Sequence, residues 1–154
     1  MVNPIPERCG ALTPYLLVKD ANKAIDFYTE VFGAEETHRM SGPDGKSVMH
    51  AEMKISDSVF FIAGLQPSMG LAACRQGETP PVSLHLFVED VDSVYDTAVS
   101  KGCRVIMPLS DTFWGDRFGK IVDPFGQHWS LATHIEDVSE EEMNRRAATV
   151  FQQG

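Results

Sequence analysis

The side chains able to carry chemistry in this 154-residue chain fall into three groups. The first is imidazole and carboxylate. His50 and Glu52 lie two residues apart, on one face of a strand expected over 47–55, and His85 and His128 follow further on. Such groups bind divalent ions and move protons near neutral pH. The second group is aromatic: Tyr15, Phe61, Phe87 and Trp114, each in or beside an apolar run, can line a binding surface or pack a core. Trp114, in a loop between Phe113 and Gly115, is either a recognition residue or a lid over the core. The third group is the pair Asp116–Arg117, whose guanidinium fork suits a carboxylate or phosphate. Adjacent strand residues point to opposite faces, so at most one of the two looks toward a ligand. His134 and Glu136, beyond the last strand, fit a solvated surface.

Several chemistries lack support. There is no Gly-x-Ser-x-Gly elbow, and no Gly-rich phosphate loop follows a strand. Cys9, Cys74 and Cys103 are odd in number and unrelated in spacing, which fits neither a disulfide framework nor a CxxC metal site. Cys103, after Gly102 and before an apolar run, fits a small buried residue better than a reactive thiol. A formal net charge of −9 leaves no basic excess for nucleic acid or an anionic membrane surface. Residues 1–9 lack the basic and apolar regions of a signal peptide, and no run reaches the length of a membrane span. A cytoplasmic location is expected.

The elements that must hold these side chains occur twice. Leu12-Thr13-Pro14-Tyr15-Leu16-Leu17-Val18-Lys19-Asp20 aligns without a gap to Val82-Ser83-Leu84-His85-Leu86-Phe87-Val88-Glu89-Asp90, at an offset of 70 residues. Each is an apolar strand closed by an Asp that can cap a helix, over 21–32 in one copy and 91–101 in the other. Gly33 and Gly102 end those helices. Three strands follow in each copy: near 34–40, 47–55 and 59–63, then 105–107, 116–122 and 128–133. Two βαβββ modules result, over 10–63 and 82–135, joined by a linker over 64–81 whose apolar residues suit a loop folded over a site or a short packed spacer. Residues 136–154 carry a last helix, announced by Ser139 and Glu142 at capping-box spacing.

In order and spacing the chain resembles the vicinal oxygen chelate superfamily of glyoxalases, bleomycin- and fosfomycin-resistance proteins and dioxygenases, and its PhnB-like group most. The resemblance rests on Leu17-Val18-Lys19-Asp20, Ala24-Ile25-Asp26-Phe27-Tyr28, Val31-Phe32-Gly33, Trp114-Gly115-Asp116-Arg117-Phe118-Gly119, Asp123-Pro124-Phe125-Gly126 and Trp129-Ser130-Leu131-Ala132-Thr133-His134. It implies an α+β fold in which the two modules form a cupped mixed sheet within one glyoxalase-like domain, usually in a homodimer, with a small-molecule or metal site inside. In metal-dependent relatives each module offers one ligand on its first strand and one on its last. Those positions fall on Thr13, Phe61, Ser83 and Ser130, none of which is a strong donor for a transition ion. The expectation is a protein with the usual metal ligands replaced, binding an apolar or aromatic compound through Tyr15, Phe61, His85, Phe87, Trp114, Asp116 and Ser130, without a cofactor. The alternative is a metal-dependent lyase, isomerase or dioxygenase whose relocated ligands are Glu52, His85 and His128.

Overall fold

The computed structural model describes residues 1–65 and 77–152. The chain groups into two compact units, Met1–Glu78 with Phe125–Gln127, and Thr79–Pro124 with His128–Gly154. Each carries one four-stranded mixed sheet and one βαβββ module. Among the described residues no helix is long and apolar enough to cross a membrane.

In the first unit the order along the chain is β1 (Tyr15–Val18), α1 (Ala21–Phe32), β2 (Glu35–Ser41), β3 (Val48–Ile55) and β4 (Ser58–Gly64). Across the sheet the order is β1-β4-β3-β2, with β1 parallel to β4. The helix starts where Asp20 accepts a hydrogen bond from the Lys23 backbone N–H at 3.0 Å. It stops at Gly33, whose φ of 66° is the left-handed conformation that glycine adopts without cost. Its stripe of Ala24, Phe27, Tyr28 and Val31 is buried on the sheet. Tyr28 is fully buried and meets Phe60 edge-on at 5.6 Å, with Phe32 and Phe125 rings within 6.0 Å. Full burial of such a ring is worth about 2 to 3 kcal/mol.

The second unit repeats the pattern with β5 (Leu84–Phe87), α2 (Val91–Ser100), β6 (Arg104–Asp111), β7 (Asp116–Val122) and β8 (His128–His134), in sheet order β5-β8-β7-β6. Asp90 caps α2 through the Ser93 N–H. Tyr95 of α2 lies over Gly119, where any Cβ would run into its ring and the Leu109 side chain. The final helix α3 (Glu140–Phe151) starts at Ser139, whose hydroxyl accepts the Glu142 N–H as the capping-box spacing requires.

Three expectations shift. β1 starts at Tyr15, not at residue 12, because Pro14 has no N–H to give a ladder and Leu12 is exposed. β6 runs over Arg104–Asp111, far beyond 105–107, with its register interrupted on both sides of Met107. The loop expected over a site falls mostly on 66–76, outside the described residues.

Candidate functional site

Alternation along the strands gives each sheet one face under its helix and one face turned away from it, called here the open face. In the first unit Leu16, Ile62 and Ala51 share a row on the helix side, so Tyr15, Phe61 and Glu52, which pair with one another in the next row, stand on the open face. Tyr15 and Phe61 meet edge-on at 5.5 Å, and His50 completes the group, 4.9 Å from Phe61 ring to ring. The Tyr15 hydroxyl lies 2.8 Å from His50 Nδ1. His50 Nε2 lies 3.7 Å from the Glu52 carboxylate, which favours a proton on Nε2 and leaves Nδ1 to accept from tyrosine.

Glu52 is a charge only 3% exposed, and Arg8 is the reason it can be. The Arg8 guanidinium donates to both carboxylate oxygens, at 2.9 and 3.1 Å. This fork holds the Glu52 carboxyl below its usual range, against the opposing pull of burial. Glu52 is therefore occupied within its own unit.

In the second unit His85, Phe87, Ser130 and Phe118 stand on the open face, while Trp129, Leu131 and Ile121 fill the helix side. His85 Nδ1 and the Ser130 hydroxyl share a hydrogen bond of 2.6 Å. A chain of rings runs across this face: Phe87 to His85 at 4.5 Å, His85 to Phe118 at 5.9 Å and nearly parallel, Phe118 to Trp114 at 5.4 Å. Phe87 leaves 59% of its surface exposed.

Trp114 is held by its loop. Its indole N–H donates to Asp116 Oδ2 at 3.0 Å, and the Thr112 N–H donates to the Asp116 carbonyl at 2.8 Å. Gly115 accepts the N–H groups of Ile135 and Glu136, and Arg146 of α3 donates to the Phe113 carbonyl. Asp116 is buried, and its second oxygen lies 2.8 Å from His134 Nδ1. His134 Nε2 lies at the same distance from Asp137. Arg117 points the other way, as alternation requires, forking onto Asp92 in the first turn of α2 and reaching Asp111.

His134, whose sequence position suggests only a surface, thus braces the carboxylate that orients Trp114. The Asp137 contact first, then the Asp116 contact, raise its pKa above the ordinary 6.5. A raised pKa stabilises the fold fully below the unfolded value, and that gain is lost as pH rises through the folded value. The melting temperature of the native protein should therefore exceed that of His134→Gln most near pH 5 and converge toward it near pH 8, in parallel titrations over about this range. A difference that grows with pH would contradict the assignment.

The residues expected at the site are thus distributed over two open faces. Tyr15 and Phe61 are together in the first unit, and His85, Phe87 and Ser130 in the second, where Phe118 links them to Trp114 and Asp116. His50, Phe118 and His134 are additions. For His50 the signal was present, since it alternates onto the face of Glu52; for Phe118 it lay in the period-two spacing from Asp116.

The register also shows which residues face the last-strand positions. Thr13 and Ser83 fall ahead of β1 and β5, and the residues directly across from Phe61 and Ser130 are Tyr15 and His85. In the first unit Tyr15 and Phe61 offer a phenol and a phenyl ring, and in the second His85 and Ser130 offer an imidazole and a hydroxyl; neither pair is a ligand set for a transition ion. Among the described residues no group of three His, Cys, Asp or Glu side chains is placed to hold a metal. His128 lies on the same face as Ser130, and Glu52 is held by Arg8.

Residues 10–131 match the Glyoxalase/Bleomycin resistance protein/Dioxygenase superfamily. The chain belongs to this family. An uncharacterized protein of Mycobacterium bovis, Mb0911c, is 41% identical over 137 residues, which cover 86% of this chain and 89% of the relative. Among solved structures, the PhnB protein of Bacillus cereus superposes with a TM-score of 0.64 at 22% identity, over 80% of this chain and 99% of that one. The fosfomycin resistance protein FosX of Listeria monocytogenes, complexed with Mn(II) and sulfate, superposes with a TM-score of 0.61 at 20% identity, over 90% and 97%. At these identities the two structures share the fold, with its paired βαβββ modules.

Proposed function

We propose that the protein binds an apolar or aromatic small molecule on the open faces of its modules, in the cup of a homodimer, with the family's usual metal ligands replaced. The ring series Phe87, His85, Phe118 and Trp114 carries this reading. Stacked and edge-on rings bordered by a few placed polar groups, here Ser130 and Asp116, are the usual composition of a small-molecule site. Tyr15, Phe61 and His50 supply a smaller ring group on the other module. A cytoplasmic location goes with this reading.

The test is equilibrium titration of tryptophan fluorescence with a library of arenes, repeated with a chelator and with Trp114→Phe. Saturable quenching that ignores the chelator and disappears in the variant supports the reading. An absence of saturable binding across the library would overturn it.

The imidazole of His85 on β5, directly across from Ser130, favours one second reading, a metal-dependent lyase, isomerase or dioxygenase with relocated ligands. In such an enzyme the ion would polarise a substrate oxygen. Protein purified without chelator should then carry a transition ion near stoichiometry; less than about a tenth of an equivalent excludes it, since catalytic sites retain their ions.

A further inference from the structure

Glu52 and Lys120 occupy equivalent places in the two modules. Glu52 pairs across β3 and β4 with Phe61, Lys120 pairs across β7 and β8 with Ser130, and each of those partners pairs in turn with the first strand of its module, at Tyr15 or His85. The duplicated framework therefore presents a charge at the same point of both open faces, with opposite sign. What differs is how that charge is compensated. Glu52 is neutralised within the chain by the Arg8 fork. Lys120 has no such counter-ion: among the described residues no carboxylate pairs with it, although Asp and Glu outnumber Lys and Arg by 22 to 13. In a chain so acidic, an open-face ammonium without an acid beside it is a local reversal of sign.

Lys120 also borders a cavity of about 280 Å³. Its polar wall consists of Thr79, Ser83, Lys120, His128 and Ser130, and Ile106 contributes to the apolar part. Three hydroxyls, an imidazole and an ammonium are present, and no carboxylate lines the space. A hydroxyl donates one hydrogen bond and an ammonium three, so the wall is equipped to surround an oxyanion. The volume suits a head group or a very small ligand rather than a whole drug-sized molecule. The ammonium lies 5.9 Å from the centre of the Phe118 ring, which is itself in contact with Trp114. The cationic corner and the aromatic surface are thus neighbours on one face.

We propose that this cavity binds the anionic head group, a carboxylate or a phosphoryl or phosphonyl oxyanion, of the small molecule whose apolar part lies on Phe118 and Trp114. Lys120 supplies the counter-charge and Ser83 and Thr79 supply neutral donors, while Ser130 is held by His85 at the edge of the space. The inference rests on the reading of this open face as a ligand surface and narrows the ligand to an amphiphilic anion.

The test compares phenylphosphonate, benzoate, benzyl alcohol and inorganic phosphate, titrated into the full chain and followed by amide and indole NMR shifts. Lys120→Met keeps the apolar stem, Lys120→Arg keeps the charge, and their melting temperatures verify folding. The expected result is that phenylphosphonate and benzoate bind more tightly than benzyl alcohol, and that Lys120→Met weakens both anions by about tenfold or more while Lys120→Arg stays within about threefold. Benzyl alcohol should not respond to either variant. Phosphonate loss without benzoate loss would support a phosphoryl head group, and the reverse a carboxylate. Equal binding of benzyl alcohol and the anions, or anion affinities unchanged in folded Lys120→Met, would overturn the inference while leaving the arene surface intact. If no arene binds but inorganic phosphate shifts the Lys120 and Ser130 signals, the anion site stands and the aromatic reading fails. If no probe binds at all, both are overturned.

Discussion

Gly115→Ala should destabilise the protein by about 3 kcal/mol and, by displacing Trp114, weaken the proposed ligand binding to the second module. Gly115 has φ of 99°, outside the narrow left-handed region that Asn or Asp tolerate, and there a side chain is strained whatever the surrounding space. The space is closed as well. An added Cβ would run into the Glu136 carbonyl oxygen and come against Val138, and the first of these is backbone that cannot step aside alone. Glu136 is anchored in turn, its N–H on the Gly115 carbonyl and its side chain on Arg146, so relief requires moving the chain's exit from β8 together with the contact to α3. Trp114 is the neighbour that would move with them. Chemical denaturation of the variant reads the stability loss, and the Trp114 indole signal reads the displaced ring. A variant within about 0.5 kcal/mol of the native protein would show that the loop is not held as described.

The largest effect on binding is expected from Trp114→Ala, at about thirtyfold in affinity for an apolar ligand, or about 2 kcal/mol. Tryptophan presents more apolar area than any other side chain, and this one is orientated before the ligand arrives. Its N–H is committed to Asp116, and the loop behind it is tied to β7, β8 and α3. A ring already held in place loses little entropy on binding, so its truncation costs nearly the full contact. Trp114→Phe should lose less than Trp114→Ala. Asp116→Asn should lose affinity through orientation, since the amide could still accept from the indole but would no longer offer His134 a carboxylate. Isothermal titration with one ligand across the three variants checks the order; equal affinities in all of them would place the ligand elsewhere.

The duplicated framework is legible in the sequence because its signals are local. Asp20 and Asp90 bond N–H groups three residues ahead, Gly33 takes a left-handed turn one residue after a helix, and Ser139 caps through Glu142, all within a few residues of chain. The strand faces were readable too, since period-two alternation put Asp116 and Arg117 on opposite sides, as found. Register was not. Whether Thr13 or Tyr15 stands across from Phe61 depends on where β1 begins, and Pro14 decided that by lacking a donor. Contacts between distant segments were equally hidden. Arg8 meets Glu52 from 44 residues away and comes from a segment without regular structure, so no periodicity announces it. His134 carries two carboxylates, but only the pairing of β7 with β8 brings Asp116 across from it.

The central claim is that the open face of the second module, with Trp114 at one end of its ring series, is the surface that meets the ligand. The two tryptophans make it directly testable, because their indole N–H groups have different partners: Trp114 bonds Asp116 at the open face, and Trp129 bonds buried Asp123 at 2.9 Å beneath the sheet. An indole ¹H–¹⁵N correlation spectrum, assigned by Trp114→Phe and followed through titration with an aromatic ligand, separates them. The account predicts a saturable shift of the Trp114 signal with the Trp129 signal nearly still. A saturable shift of Trp129 with Trp114 unmoved, or no shift of either at saturating ligand, would contradict it.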